Sequence, residues 1–409
     1  MSKWKTEQWF VSPWNYEPSV TKNYQFPEKV IIHDTTLRDG EQETGVALKA
    51  DAKIRIAELL AEAGVHRIET GMPAVSDQDE RAIREIVRRK LGPEIFAFCR
   101  CIVDDVKLAA DCGVDGVVVE IPSSGHLIKY AYGWPLETAI KKSVEATRAA
   151  KDLGLKTVFF TIDSSRADMP WLLDLINHVA TEGHMDGLTL VDTMGVLSPG
   201  AVAYFVNNVK AKFPDIPLEA HFHNDFGLAV ANTIMALSLG VQVAHTTVLG
   251  IGERCGGCAL EELVMALKLL YGIDTGVKTE KLFNLGRTVS QLTNHPIPVC
   301  KSVVGQSIYE IESGIPAAWV RKLKKGPADL ITEVVPVRWD VVGQSEVRIV
   351  LGKGSGEDSI REWLEKCGLS ATQEQVPEII KLVKIKAMDK NSLVTEQEFR
   401  EIVKTVTGK

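Results

Sequence analysis

Long apolar runs are missing from this 409-residue chain. No stretch of 18 apolar residues occurs, which excludes a membrane-spanning helix. Basic residues are not in excess either. Lys and Arg number 47 against 54 Asp and Glu, a net charge of −7, whereas sequence-independent nucleic-acid binding needs dense basic surface. Cysteine is sparse and odd in number, seven scattered thiols, and that is no disulfide framework. The opening MSKWKTEQWFVSPWNYEPSV carries no apolar stretch of signal-peptide length. These absences lead us to expect a reduced, cytoplasmic protein that works on small molecules, with no nucleic acid and no membrane as partner.

What is present is alternation. Residues 1–28 form an aromatic arm carrying Trp4, Trp9, Phe10, Trp14 and Tyr16 without regular period, expected to pack on another surface such as a partner subunit. From Val30 onward, short apolar runs alternate with amphipathic stretches. The runs are Val30–Ile32, His66–Glu69, Ile95–Phe98, Gly116–Val119, Thr157–Phe160, Gly187–Val191, Leu218–Phe222 and Val243–Val248. The stretches between and after them fall at 49–63, 77–90, 104–112, 136–152, 168–182, 199–213, 228–239 and 260–271. Continuous Val/Ile/Leu runs mark strands buried on both faces, as a parallel sheet requires. Eight strand–helix units in about 250 residues is the arithmetic of a (β/α)₈ TIM barrel; a doubly wound sheet rarely needs eight and would leave edges. We place the barrel at 29–285. A mixed post-barrel subdomain follows at 286–356, closed by Gly352-Lys353-Gly354-Ser355-Gly356, and a charged helical subdomain at 357–409.

In such a barrel the chemistry gathers at the C-terminal ends of the strands. Behind the first run stand Asp34-Thr35-Thr36-Leu37-Arg38-Asp39-Gly40, behind the second Glu69, behind the third Arg100 and behind the sixth Asp192-Thr193. His221 and His223, two apart on the seventh strand, point to one face. Two imidazoles and a carboxylate with open positions are the usual build of a catalytic divalent-metal site, and barrel closure brings Asp39 to them. The competing reading is a hydrogen-bonded histidine pair in the core. Arg38 beside that set can bind an oxyanion or polarise a carbonyl, against the plainer reading of a salt bridge. Gly250-Ile251-Gly252-Glu253-Arg254-Cys255-Gly256-Gly257 does not match a dinucleotide fingerprint, and its glycines allow close backbone approach. Cys255 and Cys258, formally CxxC, read as reduced structural thiols, and Cys99 and Cys101 as core.

Taken together, His33-Asp34-Thr35-Thr36-Leu37-Arg38-Asp39-Gly40-Glu41-Gln42, Asp192-Thr193-Met194-Gly195, His221-Phe222-His223-Asn224-Asp225 and the Gly250–Arg254 loop resemble the DRE-TIM metallolyases. The branch they are most similar to is that of the 2-isopropylmalate, homocitrate and citramalate synthases. The resemblance implies that Asp39, His221 and His223 hold a divalent metal, with Zn, Mn and Mg all chemically open. It implies that Arg38 stabilises a developing alkoxide or enolate and that Arg38, Gln42, Glu69, Arg100 and Thr193 bind the 2-oxo acid. The reaction implied is a Claisen-type condensation of an acyl-CoA, normally acetyl-CoA, with that acid. It further implies a homodimer with Tyr309 to Ile315 near the other subunit's site. No residues are left for a leucine-binding regulatory domain, so feedback control of that kind is not expected.

Three departures concern proton transfer. Ile162 stands where the synthases carry Glu at the end of the fifth strand; Ile311-Glu312-Ser313-Gly314-Ile315-Pro316 lacks both histidines of their post-barrel motif; and Gly257 replaces an Asn. An Ile or Pro cannot transfer a proton. The replacement base is sought first at Glu310 or Tyr309 and next at Asp163, with Glu120 and Glu312 also available. Two other readings compete with condensation: a lyase or aldolase cleaving a hydroxy acid or its CoA ester, and a binding-only pseudoenzyme.

Overall fold

A computed structural model describes residues 2–408, with Ala328 and Asp329 described by backbone alone. The chain divides into two units, residues 17–297 and residues 1–16 with 298–409. The first unit is a closed barrel of eight parallel strands in sequential order: β1 (Ile31–Asp34), β2 (Arg67–Glu69), β3 (Glu94–Arg100), β4 (Gly116–Pro122), β5 (Lys156–Ile162), β6 (Gly187–Asp192), β7 (Leu218–Phe222) and β8 (Val243–Thr246). Closure is made by β1 on β8, with Ile31 opposite Val243 and Asp34 opposite Thr246. The strands are nearly all buried, which is why they read as unbroken apolar runs rather than alternating ones.

Each crossover carries a helix, including Ala50–Ala63, Asp77–Arg89, Leu136–Asp152 and Met169–Glu182. Their starts are marked in the sequence: Ser76, Asp168 and Ser198 each accept a backbone N–H of the first turn. The axis of the barrel is filled in part by Phe96, Phe98, Val118, Val158, Phe160 and Val191. Those positions fix the parity: on β3, β4 and β5 even-numbered side chains face inward, and on β6 odd-numbered ones do. Cys99 and Cys101 are buried on the opposite, helix-facing side, where the Cys101 thiol meets Ser143. All seven cysteines are free.

The second unit differs from the expected division. The first sixteen residues do not stand apart as an arm. Trp9 bridges to Val337, Phe10 N–H donates to the Pro336 carbonyl and Arg338 N–H to that of Gln8. Some of their backbone groups are thus bonded by the post-barrel segment of the same chain. Residues 17–28 belong instead with the barrel, where Phe26 packs edge-on and Tyr24 at a tilt against Tyr271. The barrel unit also runs past 285, because the helix Leu282–Thr293 continues its periodic apolar face. Within the second unit lie the two-stranded pair β9 (Glu310–Ile311) and β10 (Arg348–Ile349) and the helices Gly314–Leu323, Glu357–Cys367, Val376–Lys390 and Glu396–Thr407. Among the described residues no helix is long and apolar enough to cross a membrane.

Candidate active site

Directly after β1 the chain folds into a tight turn around one carbonyl. The oxygen of Thr35 accepts the N–H groups of Arg38, Asp39 and Gly40, while Thr35 N–H and its hydroxyl both donate to Thr246 on β8. Asp34 faces away from the axis and accepts from Thr36 N–H at 3.0 Å and the Thr246 hydroxyl at 3.2 Å. Beneath the turn, the fully buried Lys53 ammonium donates to the Leu37 carbonyl and pairs with Glu41 at 2.5 Å and with Asp79. This clamp presents Arg38 and Asp39 side by side at the mouth. Sequence reasoning passed over Lys53, which lies on an amphipathic helix with nothing to distinguish it from a solvated lysine.

Asp39, His221 and His223 come together there, all buried. The two histidine Nε2 atoms face one another at 3.4 Å, and Asp39 Oδ1 lies 3.9 Å from the His223 nitrogen. His223 Nδ1–H donates to the Gly256 carbonyl at 3.0 Å, which leaves its Nε2 as the lone-pair nitrogen. Burial, with His223 and Arg38 nearby, drives His221 well below the usual imidazole range, so it stands neutral. Facing imidazole nitrogens beside one carboxylate fit a divalent cation. The glycine loop makes room for this. Gly256 sits at φ +75°, and a Cβ there would meet the Gly250 oxygen at 1.7 Å; a Cβ on Gly252 would come within 2.9 Å of Asp39 Oδ2. Its glycines thus let the backbone close on Asp39 and His223.

Arg38 is the hub of the expected pocket. Its Nε donates to Glu69, and its Nη1 reaches Asp39 and Gln42 at 3.1 Å each. Its guanidinium lies 4.1 Å from the Phe98 ring centroid and 5.8 Å from that of Phe160. The Nη2 group is buried without a hydrogen-bond partner among the described residues. Burial alone would raise the Glu69 carboxyl, but Arg38 and His33 outweigh it and hold it down to about 2. Thr193 sits at the end of β6, its hydroxyl accepting Asp163 N–H at 2.8 Å. Arg100 is half exposed and forks onto Asp105 at 2.7 and 2.9 Å through Nε and Nη2, which commits two of its five N–H donors.

One layer deeper lies a second histidine–carboxylate group, His33, Glu69 and His245. Its imidazoles stack at 4.4 Å with an interplanar angle of 10°. Its carboxylate is already held by Arg38 and His245 is bonded to Glu219, so we read this layer as a polar network rather than a ligand set. His245 Nε2 donates to Glu219 at 2.7 Å, Glu219 accepts Arg67 at 2.8 Å, and His33 Nε2 lies 3.3 Å from Glu69. Burial and the neighbouring His245 push His33 down to about 4.

The proton-transfer candidates fare unequally. Tyr309 is buried against Trp339, and burial, with Asp340 adding to it, pushes its hydroxyl up to about 12. Glu310 is held by Arg348 across the β9–β10 pair. Neither offers a free group tuned toward neutrality. Glu312 accepts Gly354 N–H at 2.7 Å, a structural duty in its own unit. Asp163 adopts φ +63° just beyond β5 and is engaged by Ser124, Arg166 and His126.

A family model described as HMGL-like matches residues 29–289. Homocitrate synthase AksA of Methanothermobacter thermautotrophicus is 36% identical over 401 residues, which covers 98% of this chain and 99% of that one. The 2-isopropylmalate synthase of Methanocaldococcus jannaschii is 37% identical over 393 residues, 95% of this chain and 74% of its own. Among solved structures, the HMG-CoA lyase of Bacillus subtilis superposes with a TM-score of 0.59 over 67% of this chain and 96% of that chain. At 22% identity this is a likeness of fold.

Proposed function

Because the chain belongs to the HMGL-like family, we propose that it is a metal-dependent acyltransferase forming a carbon–carbon bond. It condenses an acyl-CoA, acetyl-CoA in the simplest case, with a 2-oxo acid to give a 2-hydroxy dicarboxylate or tricarboxylate and free CoA. The observation that carries this reading is the orphaned Nη2 of the buried Arg38, beside the converging nitrogens of His221 and His223. A buried donor without an acceptor is costly, and a carboxylate or alkoxide oxygen entering the mouth would satisfy it.

Asp39, His221 and His223 would hold the cation, which supplies Lewis-acid polarisation of the ketone when bound. Arg38 donates to the oxygen on which negative charge develops. Glu69 fixes the direction of that fork, and Gln42, with its amide oxygen committed to Arg38, turns its NH₂ group toward the substrate. Phe98 and Phe160 keep water from the guanidinium. Thr193 orders the β5–β6 end through its contact with Asp163. Arg100 keeps its Nη1 donors free for the substrate while Nε and Nη2 hold Asp105.

Thiol release from acetyl-CoA, measured with added Zn²⁺, Mn²⁺ or Mg²⁺ and a panel of pyruvate, 2-oxoisovalerate and 2-oxoglutarate, tests the proposal. Release that depends on both metal and one oxo acid is the expected result. Pyruvate formed from a hydroxy acid with no CoA product would replace it by the lyase or aldolase reading. We further infer a homodimer. Ile315 and Trp319, four residues apart on the helix Gly314–Leu323, are 83% and 46% exposed, an apolar face that a second copy would cover. Light scattering at micromolar concentration should give twice the chain mass of 44.9 kDa.

A further inference from the structure

A condensing enzyme of this kind needs a group that removes a proton from the acyl carbon, and the post-barrel candidates are occupied or mistuned. The barrel mouth offers another. Glu120 lies on β4, paired in register with Arg100 on β3 and Phe160 on β5. It shares the inward parity of Val118, so its carboxyl stands one step above the apolar layer on which the Arg38 guanidinium rests. The charged groups facing it are Arg38 from the β1 turn, Glu69 from β2, Arg100 from β3 and Asp105 from the following helix.

What sets Glu120 apart is that it is unspoken for. Glu69 is clamped by Arg38, Asp105 by Arg100 and Asp163 by Arg166; Asp192 accepts Ser165 at 2.7 Å and Leu197 N–H at 2.9 Å. Among the described residues, no hydrogen bond or ion pair is found for the Glu120 carboxylate, although the residue is mostly buried. Burial, opposed by Arg38, pushes its carboxyl up to about 7, where an acid group is both ionised in part and basic enough to accept a proton. On the neighbouring strand the inward positions Phe160 and Ile162 are apolar and cannot take this role.

We propose that Glu120 is the base that takes the proton from the α-carbon of the acyl thioester, a role that rests on the condensation reading above. The C–H bond breaks, and its electron pair, held as the thioester enolate, forms the new bond to the keto carbon. The ketone π pair moves onto its oxygen next to Arg38, and the proton held by Glu120 passes to that alkoxide. Water then cleaves the thioester, giving the carboxylic acid and the free thiol.

The test is deuterium exchange into the methyl group of acetyl-CoA in D₂O, with metal and the active 2-oxo acid present, alongside thiol release. Glu120→Gln should lower both by about 10²- to 10⁴-fold, with bound metal and oxo-acid affinity as in the unsubstituted protein. Glu120→Ala should regain exchange on addition of formate, which a merely structural role would not produce. Unchanged exchange in folded Glu120→Gln, or exchange lost in His126→Ala but kept in Glu120→Gln, overturns the assignment while leaving condensation intact. An unsubstituted protein that neither exchanges nor condenses acetyl-CoA overturns the parent reading, and this role with it.

Discussion

Two groups of two histidines and one carboxylate sit in successive layers of the same barrel, and their imidazoles are set at different angles. In the upper layer the His221 and His223 rings stand at 72° with their Nε2 atoms 3.4 Å apart, and a backbone carbonyl fixes the tautomer of His223. In the lower layer the His33 and His245 rings lie parallel, and the carboxylates on either side are held by Arg38 and Arg67. The inventory of side chains is the same. What differs is the angle between the rings, for the carboxylate of each layer is already paired with Arg38. The lower layer's carboxylates are paired by Arg38 and Arg67 and support the one above, where the facing Nε2 atoms of His221 and His223 stand beside Asp39 and can take a ligand.

The sharpest break of that contrast is His223→Ala. Bound divalent metal should fall from one per chain to none by elemental analysis, and turnover should fall to background, with little change in thermal unfolding. Unchanged metal content would remove the upper layer as the site. Next comes Arg38→Ala, which should cost about 10²- to 10³-fold in kcat, the scale of one lost oxyanion donor, while metal content holds. Arg38→Lys should recover little, because a point charge cannot serve Glu69, Gln42 and the substrate with one planar fork.

A substitution in the lower layer should act on stability and spare the metal. Glu219→Gln strips Arg67 and His245 of their shared carboxylate, and breaking such a buried pair costs about 3 kcal/mol. Denaturant unfolding should register that loss at an unchanged metal stoichiometry. Two metals per chain in the unsubstituted protein, dropping to one in His245→Ala, would make the lower layer a ligand set.

Much of the upper layer was legible because strand parity is a strong constraint. An HxH pair at the end of a buried run has one inward face, and closure of the barrel brings the β1 turn to it. The lower layer escaped notice because His33, Arg67, Glu219 and His245 are embedded in strand runs whose apolar neighbours dominate the pattern; only their shared inward parity could have flagged them. Glu120 was visible as a carboxylate, but its weight depends on which neighbours are already paired, and the sequence does not show pairing. The surface that receives the first sixteen residues was not legible for a related reason. Trp9 and Phe10 announce packing, but the surface that receives them, around Pro336–Arg338, is more than 300 residues away.

The smallest effect separates the layers by pH. Burial alone would raise Glu69 and Glu219; Arg38 with the His33 hydrogen bond at Glu69, and the His245 hydrogen bond with Arg67 at Glu219, override it and hold both carboxyls down to about 2. The stability they contribute is therefore present above their ordinary value of 4.5 and is lost as pH falls through about 2. Asp34, on the helix-facing side of β1, is governed by burial itself and rises to about 7 despite its bonds to Thr36 and Thr246. Its contribution has the opposite sign, being fully present below 3.8 and lost as pH climbs through about 7. Asp34→Asn, which keeps the acceptor for Thr36 N–H and carries no charge, should stabilise the protein at pH 8 by about 2 kcal/mol. That gain should vanish near pH 4, where Asp34 is already protonated in the fold. Urea midpoints at the two pH values measure the difference, and a gain of equal size at both would show that Asp34 is not held neutral by burial.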